Sequence, residues 1–179
     1  MMGKWAGAVC ILCASWGMGV WLAAQWKGRL KALEELRRMV YFLKGEITYG
    51  HEVLEEALRR VGRRAGSPLG RIFESAAEGI AGRQGESFAG IWDGVLLREK
   101  KKVPVLKEED WEQLRGLGEH LGYLDVDMQE RTLLLYLEQL DLSIEFLRAH
   151  GRERCRLYTT LGAAGGMFLV LILLLSRGG

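Results

Sequence analysis

The chain has 179 residues, with 25 Lys and Arg balanced by 23 Asp and Glu, and it carries 24 glycines and 3 cysteines. That near-neutrality speaks against a nucleic-acid-binding protein, which needs a strongly basic surface. A mean hydropathy near zero hides an uneven distribution. Trp5–Ala24 and Leu157–Leu175 contain no Asp, Glu, Lys or Arg; every acidic group, and every basic one except Lys4 and Arg177, lies between them.

The first apolar block has the roughly 20 residues that cross about 30 Å of hydrocarbon as a helix. Trp5 and Trp26 stand at its two ends, where indole rings favour the interface. A cleaved signal peptide is the rival reading, but the small-residue pattern before a cleavage point is poor: cleavage after Ala24 puts Leu22 at position −3, and cleavage after Ala23 puts Trp21 there. Lys27, Arg29, Lys31, Arg37, Arg38 and Lys44 follow this block, and Arg148, Arg152, Arg154 and Arg156 precede the second one. Basic residues beside membrane spans stay cytoplasmic, so the middle of the chain is expected inside and both termini outside.

No proline interrupts residues 5–64, so the first span is expected to continue as a soluble helix. Leu33, Leu36, Val40, Leu43 and Ile47 form its apolar stripe, at spacings of three and four. A turn is expected at Tyr49-Gly50-His51. A short second helix follows, with Leu54, Ala57, Leu58, Val61 and Ala65 on one face and Glu55–Arg59 and Glu56–Arg60 as i,i+4 pairs. Arg59, Arg60, Arg63 and Arg64 crowd its C-terminal half. They make either a solvated face that complements the helix dipole or, with Arg37 and Arg38, a basic face toward anionic lipid headgroups.

Ser67 is a predicted N-cap with Pro68 in the first helical position. Leu69, Ile72, Phe73, Ala76 and Ile80 line the third helix, which the glycines at 79, 82 and 85 are expected to end. Phe88, Ile91, Trp92, Val95 and Leu96 line the fourth, and Lys100-Lys101-Lys102-Val103-Pro104 reads as the longest linker. The fifth helix opens with Glu108, Glu109 and Asp110, as its dipole prefers, and carries Trp111, Leu114, Leu117 and Leu121. Gly122 ends it, and Asp125 or Asp127 caps a long sixth helix.

That helix bears two apolar rows. Leu133, Leu137, Leu140, Ile144 and Leu147 make a seam for packing against the first helix as an antiparallel stalk. Leu135, Leu142 and Phe146 lie nearly opposite. Neighbouring helices are expected to cover this second row, with a partner-protein surface as the alternative. The sixth helix then runs into the second predicted span. The expected architecture is all-α: an antiparallel six-helix bundle (27–156) carried on an N-terminal (1–26) and a C-terminal (157–179) transmembrane segment.

No catalytic or metal constellation stands out. His51, His120 and His150 fall on separate elements, and there is no H-E-x-x-H, P-loop or dinucleotide fingerprint. Cys10 and Cys13 form a C-x-x-C inside the first apolar block, where a redox pair lacks water and a partner base. A small membrane redox carrier or enzyme built on that pair is the alternative function. Cys155 stands alone among arginines at the membrane edge.

Glu46-Ile47-Thr48-Tyr49-Gly50-His51, Leu54-Glu55-Glu56-Ala57 and Leu117-Gly118-Glu119-His120-Leu121-Gly122, followed by Asp127 and Gln129, occur in that order between two anchors. This arrangement resembles the stage III sporulation protein AB family over nearly the whole chain. The cytoplasmic part of that family looks like the helical domain of type II secretion F proteins, an inner-membrane platform. The resemblance implies a two-pass protein of the bacterial cell membrane with its bundle in the mother-cell cytoplasm. It also implies a structural role in the secretion-like channel between mother cell and forespore. The implied partners are other stage III proteins, including a cytoplasmic ATPase. It offers no catalytic residue, cofactor or small-molecule substrate.

Overall fold

A computed structural model describes residues 2–50, 52–82, 85–122 and 125–175. Side chains are described for 14, 16–50, 52–82, 85–122, 125–151, 157, 160, 164, 165 and 167. Among these residues the chain is all-helical, without a strand. Six α-helices follow one another: α1 (Met2–Thr48), α2 (Leu54–Ala65), α3 (Pro68–Gly82), α4 (Phe88–Glu99), α5 (Glu108–Leu121) and α6 (Val126–Leu175). The chain divides into two compact units, Lys31–Glu145 and Met1–Leu30 with Phe146–Gly179.

In the first unit the stripes expected from periodicity are the buried ones. Leu33, Leu36, Val40, Leu43 and Ile47 of α1 are buried, as are Leu133, Leu137, Leu140 and Ile144 of α6. Arg37 Nη2 donates to Asp141 Oδ2 at 3.2 Å and Lys44 Nζ lies 2.7 Å from Glu130 Oε1. The two helices therefore run in opposite directions along this seam. Fully burying each such aliphatic side chain is worth about 1.5–3 kcal/mol, against about 0–1 for an exposed ion pair. The apolar seam holds the helices together and the pairs fix their register.

The centre of the unit is Trp92 on α4, whose side chain is fully buried. Its Nε1 donates to the carbonyl of Leu114 on α5 at 2.8 Å, and its ring meets Phe73 of α3 edge-on at 5.5 Å and 85°. One side chain thus ties three helices. The indole lies against Gly118 of α5 so closely that a β-carbon there would fall 2.1 Å from Trp92 Cδ1. Gly62 and Gly70 make a comparable approach between α2 and α3, where a β-carbon on either would stand 2.7 or 2.6 Å from the other's carbonyl oxygen.

Local chemistry sets the helix ends. Gly66 takes a left-handed conformation (φ 60°) that closes α2, its N–H meeting the Gly62 carbonyl at 3.2 Å. Ser67 Oγ accepts from the Gly70 N–H at 3.2 Å, the cap expected ahead of Pro68. Ser87, not singled out from the sequence, caps α4 through the Gly90 N–H at 3.3 Å. Asp110 does more than favour the dipole of α5, since its carboxylate accepts the Lys107 N–H at 2.8 Å. Asp125, rather than Asp127, supplies the cap of α6, accepting from the Asp127 N–H at 3.3 Å.

Two expectations gain detail here. The glycine cluster ends α3 at Gly82, while Gly79 lies inside the helix with Ile91 packed against it, Cγ2 only 2.4 Å from where a β-carbon would sit. The stretch from Lys100 is the expected linker, but it is anchored to the core. Lys100–Lys102 form a 3-10 turn, and Val103 and Leu106 are buried, so two apolar side chains pin the connection to the core.

In the second unit, Trp26 Nε1 donates to the Leu147 carbonyl at 3.1 Å, while Trp16 and Trp21 are exposed. Among the described residues no helix is long and apolar enough to cross a membrane. Most side chains of the blocks Trp5–Ala24 and Leu157–Leu175 lie outside the described residues, as do His51 and the side chains of Cys10, Cys13 and Cys155.

Candidate functional site

Two surfaces of the Lys31–Glu145 unit combine features that packing alone does not require. The first lies on α6, opposite its buried seam. Leu135 and Leu142, expected to be covered by neighbouring helices, are instead 59% and 64% exposed. The helices of the unit enclose only one side of α6, so its second apolar row faces outward. Met128 joins them, also exposed. Met128, Leu135 and Leu142 repeat every seven residues, a spacing that returns to nearly the same face of a helix and spans about 21 Å. Sequence reading missed Met128, although the heptad step from Leu135 was there to be followed. Phe146, the third residue of the expected row, belongs to the other unit; it too is exposed, its ring 4.4 Å from that of His150.

Beside Met128 and Leu135 a groove of about 560 Å³ opens between α5 and α6, its walls including Gln113, Gly116, His120 and Arg131. Two polar atoms buried in its lining have no hydrogen-bond partner among the described residues: Gln113 Oε1 and the Tyr136 hydroxyl. Burial, and secondarily the charge of Asp110, push the Tyr136 phenol well above its ordinary pKa. His120 and His150 each place Nδ1 near the carbonyl four residues back, at 3.1 and 3.0 Å, a local helical contact.

The second surface concerns the six arginines. The structure sorts them into two sets. Arg37 is bonded to Asp141, and Arg59 to Glu55 at 2.6 Å and Glu56 at 3.0 Å. Arg60 meets Glu46, Glu52 and Glu56 at 3.1, 2.8 and 3.2 Å. The bonds to Asp141, Glu55 and Glu46 respectively raise Arg37, Arg59 and Arg60 above the usual guanidinium pKa, and the bond from Arg60 lowers that of Glu56. These bridges are local fasteners, with Arg60 clamping α2 to the end of α1. Arg38, Arg63 and Arg64 form no ion pair among the described residues. The guanidinium carbon of Arg64 lies 4.0 Å from the centroid of the Phe42 ring. Arg38 and Arg64 open onto a common cleft between α1 and α2.

What the arrangement offers is an apolar ridge beside a groove, and a cleft lined by two guanidinium groups and one carboxylate, that of Glu35.

Residues 4–174 match the family model described as stage III sporulation protein AB. Stage III sporulation protein AB of Bacillus subtilis (strain 168) is 26% identical over 173 residues, covering 97% of this chain and 100% of that protein. A solved structure of stage III sporulation protein AB (SpoIIIAB) superposes with a TM-score of 0.62 at 24% identity, covering 69% of this chain and 96% of that one, and so shares its fold. With the family model matching residues 4–174 of 179, the chain belongs to the stage III sporulation protein AB family.

Proposed function

We propose that this chain acts in sporulation as a non-enzymatic, two-span membrane adaptor. Its antiparallel six-helix bundle is held in the mother-cell cytoplasm and docks other components of a secretion-like channel between mother cell and forespore. Family membership supports the sporulation role. The charge-free blocks at residues 5–24 and 157–175, the basic residues on their inner flanks, and the exposed Trp16, Met18, Val20 and Trp21 support the membrane reading. A cytoplasmic ATPase and other stage III proteins are the proposed partners.

The observation that carries the adaptor role is the exposed row Met128–Leu135–Leu142 beside the α5–α6 groove. Leucines this exposed, in register along a helix, suit an amphipathic helix of a partner laid in the groove. A polar residue of that helix could satisfy the Gln113 oxygen, which offers a fixed acceptor. The test is Leu135→Asp and Leu142→Asp in the full chain, in sporulating cells. Because both positions face outward, the aspartates stay hydrated and stability changes by no more than about 0.5 kcal/mol. Spore yield should fall with the protein still present and cooperatively folded. Normal spore yield from the double variant would remove the row as a docking surface; loss of the folded domain would show that it is packed.

A further inference from the structure

We infer that the helix received by the α5–α6 groove is basic: its apolar stripe meets Met128, Leu135 and Leu142, and its flanks carry Lys or Arg. The inference rests on the docking role proposed above for that row, and it names the chemistry of the partner.

Charge around the groove carries it. The whole chain is nearly balanced, with 25 Lys and Arg against 23 Asp and Glu. The groove is not. On α5, Glu112 and Glu119 are exposed and seven residues apart, which places them on one edge of the helix about 10 Å from each other. On α6, Asp127, Glu138 and Glu145 are exposed on a stripe roughly 60–80° around the helix from Leu135. Thr132, Gln139 and Tyr136 lie on the other side of Leu135 and line the groove toward α5. The groove and the apolar row therefore run between two acidic edges, one on each helix.

None of these five carboxylates forms an ion pair among the described residues, unlike Glu46, Glu55 and Glu56, which the fold uses as fasteners. The lining holds one guanidinium, that of Arg131. Even with Arg131 set against Asp127 one turn before it, four carboxylates are left over. Like charges gathered on a surface raise the local potential and speed the arrival of a partner of opposite sign. Gly116, in the wall between the edges, has nothing within 4 Å of where a β-carbon would stand. It leaves a notch in which a helix can lie close.

The same charges select among occupants. An anionic lipid surface or an acidic peptide is repelled by both edges. A second copy docked symmetrically through this face would bring the same acids together. A helix with leucines on one stripe and cations on either side fills the groove and meets both edges at once.

The test uses the full chain in phosphatidylcholine nanodiscs and two fluorescent helical peptides, each about 14 residues long to match the row. Both carry leucines at spacings of three and four; lysines flank them in one peptide and glutamates in the other. Empty nanodiscs give the background of peptide bound to lipid. At low salt, wild type should bind the lysine peptide about tenfold more tightly than the glutamate peptide. E112Q/E138Q/E145Q should lose about tenfold for the lysine peptide, together with most of its salt dependence. R131Q should bind it more tightly than wild type, a change of opposite sign that a damaged fold would not produce. E78Q, at an exposed carboxylate on α3, should match wild type. Melting curves confirm that each variant is folded. Equal binding of the two peptides by wild type, or no binding above empty nanodiscs, overturns the inference. So does an unchanged affinity in E112Q/E138Q/E145Q. Full retention of the lysine peptide by L135S/L142S overturns it as well, because the attraction would then be charge without docking. The adaptor reading fails separately, through normal spore yield with aspartate at Leu135 and Leu142.

Discussion

The contact between Gly118 and Trp92 supports a prediction in which one substitution changes sign. A β-carbon on Gly118 would lie 2.1 Å from Trp92 Cδ1 and 2.4 Å from Cγ. The indole cannot step aside easily, because its Nε1 is bonded to the Leu114 carbonyl at 2.8 Å and its ring is wedged against Phe73 and Phe88. Gly118→Ala should therefore destabilise by about 1–3 kcal/mol, the usual cost of overpacking. Trp92→Ala should cost about 3–5 kcal/mol by leaving a cavity. In the Trp92→Ala background, however, the three atoms nearest the new methyl are gone, and alanine is the better helix former by about 1 kcal/mol. There Gly118→Ala should stabilise, so the coupling free energy comes to about 2–4 kcal/mol. Thermal denaturation of the four full-length proteins in one detergent measures the cycle, each 1 kcal/mol shifting Tm by about 2–4 °C at this size. If Gly118→Ala is equally harmful with and without the indole, the packing described around Trp92 is wrong.

Gly66→Ala should cost about 1 kcal/mol, since only glycine holds φ at 60° without strain; a melting shift near zero would deny that the cap closes α2 as described. Of the 5 tyrosines, Tyr136 should stay protonated in the folded protein when the exposed ones ionise. Its folded pKa is raised, so its contribution to stability is complete below the unfolded value near 10 and declines as pH rises through the folded one. Ultraviolet titration of native and denatured protein checks this, and full native ionisation near pH 10 contradicts it. Arg37→Ala should change stability by less than about 1 kcal/mol despite its bond to Asp141, because both side chains are nearly half exposed. A loss of several kcal/mol would mean that the bridge does more than set register.

The elements were legible in the sequence because α-helices that bury one face advertise it at spacings of three and four. Every residue of the α1 stripe from Leu33 to Ile47 is buried, and Ser67-Pro68 marks a helix start through the chemistry of a cap. What the sequence obscured was which faces find a neighbour. Leu135 and Leu142 share the periodicity of a buried row, and only the count of helices around α6 leaves them exposed. Val103 and Leu106 gave no signal at all: three lysines and a proline mark the linker, and the two isolated apolar side chains that anchor it show no periodicity. The candidate arginine cleft was half legible. Composition gathered six arginines, but only the fold brings Asp141 to Arg37 and Glu46 to Arg60, while Arg38 and Arg64 form no ion pair among the described residues. Close approaches such as Gly118 on Trp92 left only a weak signal, since a helical glycine looks like a minor propensity loss until its neighbour is seen.

The adaptor role is tested most directly by site-specific photocrosslinking in sporulating cells, with a photoreactive residue placed in turn at Leu135, Leu142 and, as an equally exposed leucine on α4, Leu97. The account predicts crosslinked species containing another stage III sporulation protein from Leu135 and Leu142, and none from Leu97. Equal crosslinking from all three positions, or none from the α6 pair while the protein is present and folded, would contradict it.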